Sequence, residues 1–121
     1  MDIEIIDGDF SVCKVSDFSQ VDLAAPFCFA AATYEERSLV CPTDRVPDNV
    51  TAREDGWRAL RIGGVLDFSV VGVLAAISAV LAQRSIGIFV VSTYNTDYIF
   101  VKRERLDEAV TALAEAGYNI R

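Results

Sequence analysis

The chain has 121 residues, of which 52% are hydrophobic, and its formal net charge is −7. This composition supplies material for a packed core and excludes an intrinsically disordered protein. The acidic balance leaves no basic stripe to neutralise phosphates, so the sequence predicts no nucleic acid and no anionic membrane as partner. The absence of histidine excludes Ser-His-Asp and Cys-His catalysis, together with the commonest transition-metal ligand.

The amino-terminal segment and the cysteines predict a cellular compartment. The first nine residues carry four acidic side chains, which argues against a basic-plus-apolar secretory signal. The spacing of Cys13, Cys28 and Cys41 differs from that of paired zinc ligands, and buried small hydrophobes in a reducing cytoplasm are expected. The sequence therefore predicts a cytoplasmic protein with no metal and no cofactor.

The first half of the chain consists mainly of predicted strands. Their alternating or β-rich runs cover Ile3–Ile6, Phe10–Val15, Phe27–Thr33 and Arg37–Cys41. The segment Ser16–Pro26 has room for about one or two helical turns. The charged and proline-containing stretch Thr43–Gly56 is predicted to connect the two halves.

The second half begins with a predicted strand, Trp57–Ile62, and a turn at Gly63-Gly64. A helix over Val70–Ala82 follows that is apolar nearly all round, so it cannot lie on a surface with one face in water. We expect one side of this helix to cover a sheet and the other to meet a second layer, domain or subunit. The run is too short to span a bilayer.

The chain then forms a hairpin and a second helix. Strands are predicted over Ile88–Val91 and Tyr98–Val101, with small polar residues between them. An apolar stripe predicts a helix over Arg103–Ala116 that ends at Gly117, and Tyr118–Ile120 adds a short strand. From Trp57 onward the order βαββαβ predicts a mainly antiparallel sheet with both helices on one face.

The two halves share an internal repeat. Thr33-Tyr34 and Thr93-Tyr94 each end a β-rich run and lie 60 positions apart. The strand, turn and strand patterns also align at this offset, which favours duplication. The first copy lacks room for the helix Val70–Ala82, so we expect two units that share one core, residues 1–56 mostly strands and residues 57–121 complete.

A candidate binding site lies at one end of the second unit. The loop Gly63–Ser69 and the hairpin Thr93–Asp97 are expected at the same end of the sheet. Free N–H groups at the helix start, near Ser69, favour a carboxylate. Oxygens of Thr93, Asn95 and Asp97 suit an ammonium or guanidinium group. Together they form the layout of a pocket for an amino-acid zwitterion.

Structural explanations for these residues stay open. Asp67 and Ser69 are suited to helix capping, and Asn95-Thr96-Asp97 to an ordinary turn. Gly72 either lets a ligand approach closely or lies where another element packs. Tyr34 and Tyr94 suit hairpin packing as well as contact with a ligand.

The second half resembles an ACT domain, a small-molecule regulatory module with a ferredoxin-like fold. The segments Trp57–Ile62, Leu66–Ala75 and Val91–Ile99 are similar to a bacterial group of short tandem-ACT proteins, which is similar in turn to the ACT domains of animal cytosolic arginine sensors. The resemblance extends over nearly all of Phe10–Ile120, and Ser92–Ile99 is its most specific part. It implies an α+β, ferredoxin-like (βαββαβ) ACT fold of two tandem units, the first truncated in helices.

The resemblance also implies ligand contacts from the start of the first helix and from the hairpin. With the residues already named, the candidate ligand-binding set is Asp67, Ser69, Val70, Gly72, Leu74, Thr93, Tyr94, Thr96 and Asp97. Val70 stands where the arginine sensors carry an acidic residue, which argues against arginine specificity but not against amino-acid binding.

The sequence thus predicts a non-catalytic regulatory module that binds an amino acid and forms a homo-oligomer such as a dimer. One alternative is a module for protein-protein interaction with no small-molecule ligand. Another is a small cofactorless enzyme that uses Asp67 and Asp97.

Overall fold

A computed structural model describes residues 1–64 and 71–121 of the protein. Its helices and strands are β1 (Asp2–Val15), β2 (Phe29–Ala32), β3 (Arg37–Pro42), β4 (Val50–Ile62), α1 (Val73–Gln83), β5 (Ile88–Ser92), β6 (Asp97–Lys102), α2 (Leu106–Glu115) and β7 (Asn119–Ile120). Single 3₁₀ turns follow β3 at Thr43–Arg45 and β6 at Arg103–Arg105. In these described ranges, no helix is long and apolar enough to cross a membrane.

The chain divides into two compact units. The larger unit combines Met1–Asp7 with Arg58–Arg121, and the smaller unit is Gly8–Trp57. The strands β1 and β4 contribute residues to both units, because the divisions fall inside them.

The larger unit is a mixed α+β domain with the strand order β1-β4-β6-β5, and β7 adds to β1 in parallel. Ile99 and Val101 of β6 share one face of the sheet, and both belong to the core cluster that contains Ile77 and Leu81 of α1 and Ala109 and Leu113 of α2. Both helices therefore pack on the same face, as predicted. On the opposite face Phe100 stacks on Phe89, with ring centroids 4.5 Å apart.

Helix α1 begins three residues later than predicted, at Val73. Gly72 precedes it with φ 84°, a left-handed conformation that glycine adopts without the steric cost of a side chain. Only Ile77 and Leu81 of α1 are buried. Alanines occupy exposed positions at Ala75, Ala76, Ala79 and Ala82. Alanine is the best helix former, so helix propensity explains why α1 is apolar on its exposed side as well.

Both helices end in Schellman motifs. After α2, the N–H of Tyr118 donates to Leu113 O at 3.1 Å and that of Gly117 to Ala114 O at 3.0 Å. Gly117 has φ 101°, so its predicted role as the terminating residue is confirmed. After α1 the left-handed position is held by Ser85 (φ 56°) rather than by a glycine.

The smaller unit has the strand order β2-β3-β1-β4 and contains no α-helix, in contrast to the helical turns predicted for Ser16–Pro26. Turns stabilised by local hydrogen bonds occupy that segment instead, for example Val21 N–H to Phe18 O at 3.1 Å. The prediction that Thr43–Gly56 is a connecting stretch was wrong in its second part, since β4 begins at Val50. Residues 51–55 of β4 are exposed and mostly polar, and they lack the apolar alternation by which a half-buried strand is recognised.

Two Asp-Gly steps lie inside long strands. The sequence predicted that a strand ends at Gly8 and that another starts after Gly56. In the structure, β1 and β4 run through these glycines, whose φ angles are 93° and 85°. Glycine tolerates such angles, so the strands continue where another residue would favour a break.

The two hairpins have the same geometry at the predicted offset. In β2-β3, Phe29 pairs with Val40 and Ala32 with Arg37. In β5-β6, Phe89 pairs with Phe100 and Ser92 with Asp97, which is the same register 60 positions later. The turns match as well: the N–H groups of Thr33 and Thr93 donate to the carbonyls of Glu36 and Thr96 at 2.8 and 2.9 Å.

The core of the smaller unit contains cysteine side chains. Cys13 and Cys41 are buried with Val15 and Leu39, and half-buried Cys28 packs against them, in agreement with the predicted burial. The Cys13 thiol donates to Leu39 O at 3.5 Å. Desolvation, with a smaller contribution from the neighbouring Cys13 and Cys28, raises the pKa of the Cys41 thiol from 9.0 to about 12.

This pKa predicts an alkaline loss of stability that depends on Cys41. In the folded state the thiol keeps its proton above pH 9, whereas the unfolded chain releases it. The stabilisation is therefore complete below about pH 9 and declines as the pH approaches 12, by up to about 1.4 kcal/mol per pH unit. Urea unfolding across this range should give a steeper decline for the wild type than for Cys41→Val. An equal decline of stability with pH in both proteins would contradict the assignment of this decline to the Cys41 thiol.

Candidate functional site

The β5-β6 hairpin presents the polar residues that the sequence analysis selected. Thr93 closes the turn: its hydroxyl donates to Thr96 O at 2.8 Å and accepts the Thr96 N–H at 3.4 Å. Tyr94 is 81% exposed at the tip, and Tyr34 of the other hairpin is 98% exposed, so both side chains lie mostly in solvent. Asp97 is half-buried at the first position of β6, opposite Ser92.

Thr96 joins this hairpin to the end of β4. Its side chain is buried, and its hydroxyl donates to Ile62 O at 2.8 Å, across 34 residues of sequence. Ile62 is the last residue of β4 and precedes the segment that leads to α1. The hairpin tip and the start of the β4–α1 connection therefore lie at the same end of the sheet, as the sequence predicted. The Thr96 hydroxyl is committed to this structural bond.

The hydrogen bond predicts a stability loss for Thr96→Val. This nearly isosteric change leaves the carbonyl of buried Ile62 without its donor, which should lower the free energy of unfolding by about 1–3 kcal/mol. Thr93→Val is the matched control, because among the described residues its hydroxyl bonds within the partly exposed turn. Denaturant unfolding of both variants measures the difference. If Thr96→Val lost no more stability than Thr93→Val, the bond from Thr96 to Ile62 O would not be what holds the hairpin to β4.

The start of the β4–α1 connection is held against β1. Gly63 N–H donates to Asp2 O at 2.8 Å, and a Cβ built on Gly63 would approach Asp2 Cβ to 3.0 Å. A side chain at this position would require the strands to shift, so glycine is needed here for close approach. The sequence predicts only a turn at Gly63-Gly64, because the contact with the distant Asp2 has no local signal.

The amino-terminal end of α1 supplies the other described candidates. Gly72 O accepts the first helical hydrogen bond, from Ala76 N–H at 2.9 Å. A Cβ built on Gly72 meets no atom within 4 Å among the described residues, so its left-handed φ, and not close packing, calls for glycine. Leu74 is partly buried and packs against the core. Asp67, Ser69 and Val70 lie outside the described residues.

The polar hairpin tip lies at the end of the sheet where β4 ends, and α1 is the next helix in the chain after β4. The first N–H groups of a helix have no partner within it and favour anions. The hairpin adds hydroxyl and carboxylate oxygens, which suit a cation. Within the described ranges, no group of three or more Cys, Asp or Glu side chains is placed to hold a metal ion.

Comparison with known proteins supports the fold. A crystal structure of a protein from Agobacterium tumefaciens is 28% identical, with a TM-score of 0.87 over 99% of this chain and 91% of that one. A Vibrio cholerae protein of unknown function, described as a possible transport protein, is 24% identical, with a TM-score of 0.72 over 94% and 88%. The ligand-free regulatory subunit of aspartate kinase from Thermus thermophilus is 12% identical, with a TM-score of 0.59 over 96% and 95%.

None of the curated proteins compared with the chain matches it significantly. The family model of the ACT domain matches residues 52–115, which is more than half of the chain. This segment includes most of β4, both helices and the β5-β6 hairpin. The chain therefore belongs to the ACT-domain family of regulatory modules.

Proposed function

We propose that the protein is a non-catalytic, cytoplasmic regulatory module that binds an amino acid where the β5-β6 hairpin meets the start of α1. The observation that carries this proposal is the hydrogen bond from Thr96 to Ile62 O. It holds the hairpin tip at the end of the sheet from which the chain continues to α1.

Each half of the proposed site recognises one charge of the ligand. The amino-terminal N–H groups of α1 bind the carboxylate, and Asp67 and Ser69 precede them in the sequence. Asp97, with Thr93 and Tyr94 beside it, binds the ammonium group. Gly72 has no side chain at the helix start, and a Cβ there would meet no atom of the described residues within 4 Å.

The ligand side chain is the part that the site defines least. Val70 stands where the arginine sensors carry an acid, so the partner that a guanidinium group requires is missing. We therefore expect an amino acid with an uncharged side chain to bind more tightly than arginine.

The matching registers of the two hairpins support a tandem origin. In this proposal the two units are ACT-like copies, and the smaller copy has lost its helices. A polar tip like that of Thr93–Asp97 is only partly kept in the smaller copy, where Glu36 and Arg37 replace Thr96 and Asp97.

A thermal-shift screen over the L-amino acids, each with its D-enantiomer as control, tests the function. An amino acid at 100 times its Kd should stabilise the fold by roughly 2.7 kcal/mol, and the L-form should act more strongly. A screen in which no amino acid raises the melting temperature would contradict the proposal.

A module for protein-protein interaction is the second candidate, favoured by the edge strand β5. Within the described residues β5 pairs only with β6, and its sequence Ile88–Ser92 contains no charge and no proline. Natural proteins usually protect such an edge. Failure of the amino-acid screen together with stable self-association would support this candidate.

In either case we expect a homodimer or higher oligomer. Light scattering at micromolar concentration should give at least twice the chain mass of 13.2 kDa. Val91→Lys on the edge strand should shift the population toward monomer, whereas Val91→Thr should not, because lysine opposes edge pairing and threonine favours strands. A wild type of 13.2 kDa would contradict this prediction.

A further inference from the structure

The smaller unit contains a cavity that the proposed amino-acid site does not use. Two loops, residues 16–28 and 43–49, cover the buried sheet residues Cys13, Leu39 and Cys41. At the same offset of 60, the larger unit has Ile99 and Val101, which pack against α1 and α2. In the smaller unit, loops pack on this face of the sheet where helices pack in the larger unit, and the loops leave a cavity of about 290 Å³.

The loops that surround this cavity are held by specific hydrogen bonds. Asn49 Nδ2 donates to Asp17 O and to Asp17 Oδ1, both at 3.1 Å, and so links the second loop to the first. The Ala24 N–H donates to Asp22 Oδ1 at 3.0 Å, which orients that carboxylate. The bonds of Asn49 connect the two loops beside the cavity, whose volume is close to the lower end of the range for small-molecule sites.

The lining has two chemically distinct parts. The half-buried Val21, Cys28 and Val46 contribute apolar surface, and the buried Leu39 lies beneath them. Asp22, Asp44, Asp48 and Arg45 supply charge at exposed positions. Arg45 is the single cation among the lining residues, so this lining has a net charge of −2.

The ion pair within the lining is weak. Arg45 Nη1 lies 3.8 Å from Asp22 Oδ2, and both side chains are more than half exposed, at 53% and 60%. Pairs of this kind contribute little in water. An entering cation can therefore replace Arg45 as the partner of Asp22 at small cost, while Asp44 and Asp48 add attraction.

We propose that this cavity is a second binding site, for a small primary amine whose apolar body lies against Val21, Cys28 and Val46 and whose ammonium group faces Asp22, Asp44 and Asp48. The net negative lining repels a carboxylate, so an amine binds here in preference to the amino acid with the same side chain. The site is thus distinct in chemistry from the one proposed on the larger unit.

A matched set of probes tests this proposal on the full chain. The probes are 3-methylbutylamine, leucine, 3-methylbutan-1-ol and 3-methylbutanoate, which share one branched apolar body and differ in charge. Amide chemical shifts in NMR titrations should move at residues 20–22, 28, 39, 44–46 and 48 with the amine. We expect leucine, the alcohol and the acid to bind at least fivefold more weakly there.

Variants separate charge recognition from general effects. Asp44→Asn with Asp48→Asn should weaken binding of 3-methylbutylamine about tenfold. The exposed pair Glu4→Gln with Asp107→Asn changes the net charge equally and should leave the affinity unchanged. Asp97→Asn should also have no effect, so failure of the amino-acid site and failure of this site are distinguishable.

Three results would overturn the proposal. They are equal binding of the amine and the alcohol, amine-induced shifts confined to other residues, and no shift at these residues up to 10-fold molar excess in millimolar solution. Loss of binding in both double variants to the same extent would likewise assign it to net charge alone.

Discussion

Replacing Asp97 with asparagine is expected to lower the affinity for the bound amino acid tenfold or more. The change removes the charge that binds the ammonium group and keeps the size of the side chain. A hydrogen bond to a charged group contributes about 1.5–3 kcal/mol, and 1.4 kcal/mol corresponds to a factor of ten in Kd. Calorimetric titration of both proteins with the amino acid selected by the screen measures the effect.

The fold should tolerate this substitution, because asparagine occupies turns as readily as aspartate does. Asp107→Asn, on the exposed surface of α2, is the control for a change in net charge. Equal affinities for the wild type and Asp97→Asn would mean that Asp97 is only a turn residue.

Leu81→Ala is expected to cause the largest loss of stability, about 2–5 kcal/mol. Leu81 is fully buried and is one of two buried residues through which α1 packs on the sheet. The substitution leaves a cavity between α1 and the core residues and removes apolar contact. Urea unfolding should show a lower midpoint with an unchanged slope.

Val80→Ala is the matched control, since Val80 lies on the same helix and is only partly buried. The loss of stability in Val80→Ala should be clearly smaller than the loss in Leu81→Ala. A loss below about 1 kcal/mol for Leu81→Ala would contradict the packing of α1, because truncations in a close-packed core cost more than this.

The elements of the larger unit were predictable because their patterns are local. The stripe of α2 and its end at Gly117 follow from the helical period and from the Schellman motif, which needs only the residues nearest the helix end. The start of α1 was misplaced, since Val70 and Val71 continue the apolar run. The left-handed conformation of Gly72 interrupts the helical geometry, so α1 begins only at Val73.

The strands of the smaller unit were harder to predict. An Asp-Gly step usually marks a turn, but Gly8 and Gly56 hold positive φ angles inside continuous strands. The strands β1 and β4 are neighbours in the sheet although they are distant in sequence, so no local pattern indicates that they continue through these glycines. Residues 51–55 are exposed, so the apolar alternation that would predict the first half of β4 is absent.

The candidate site was predictable in position but not in the role of each residue. Strand direction alone placed the hairpin and the β4–α1 connection at one end of the sheet. The bond from Thr96 to Ile62 depends on how the hairpin packs against β4, so the sequence could not distinguish this structural threonine from a ligand contact. The cavity beside Leu39 depends on the paths of two loops that have no periodic pattern.

The most direct test of the amino-acid site is NMR shift mapping with the amino acid that the thermal screen selects. We expect the backbone amides of Thr93–Asp97 and Val71–Leu74 to move together and to saturate at one Kd. Shifts that leave both segments unchanged, or that are confined to Gly8–Trp57, would contradict the proposed site.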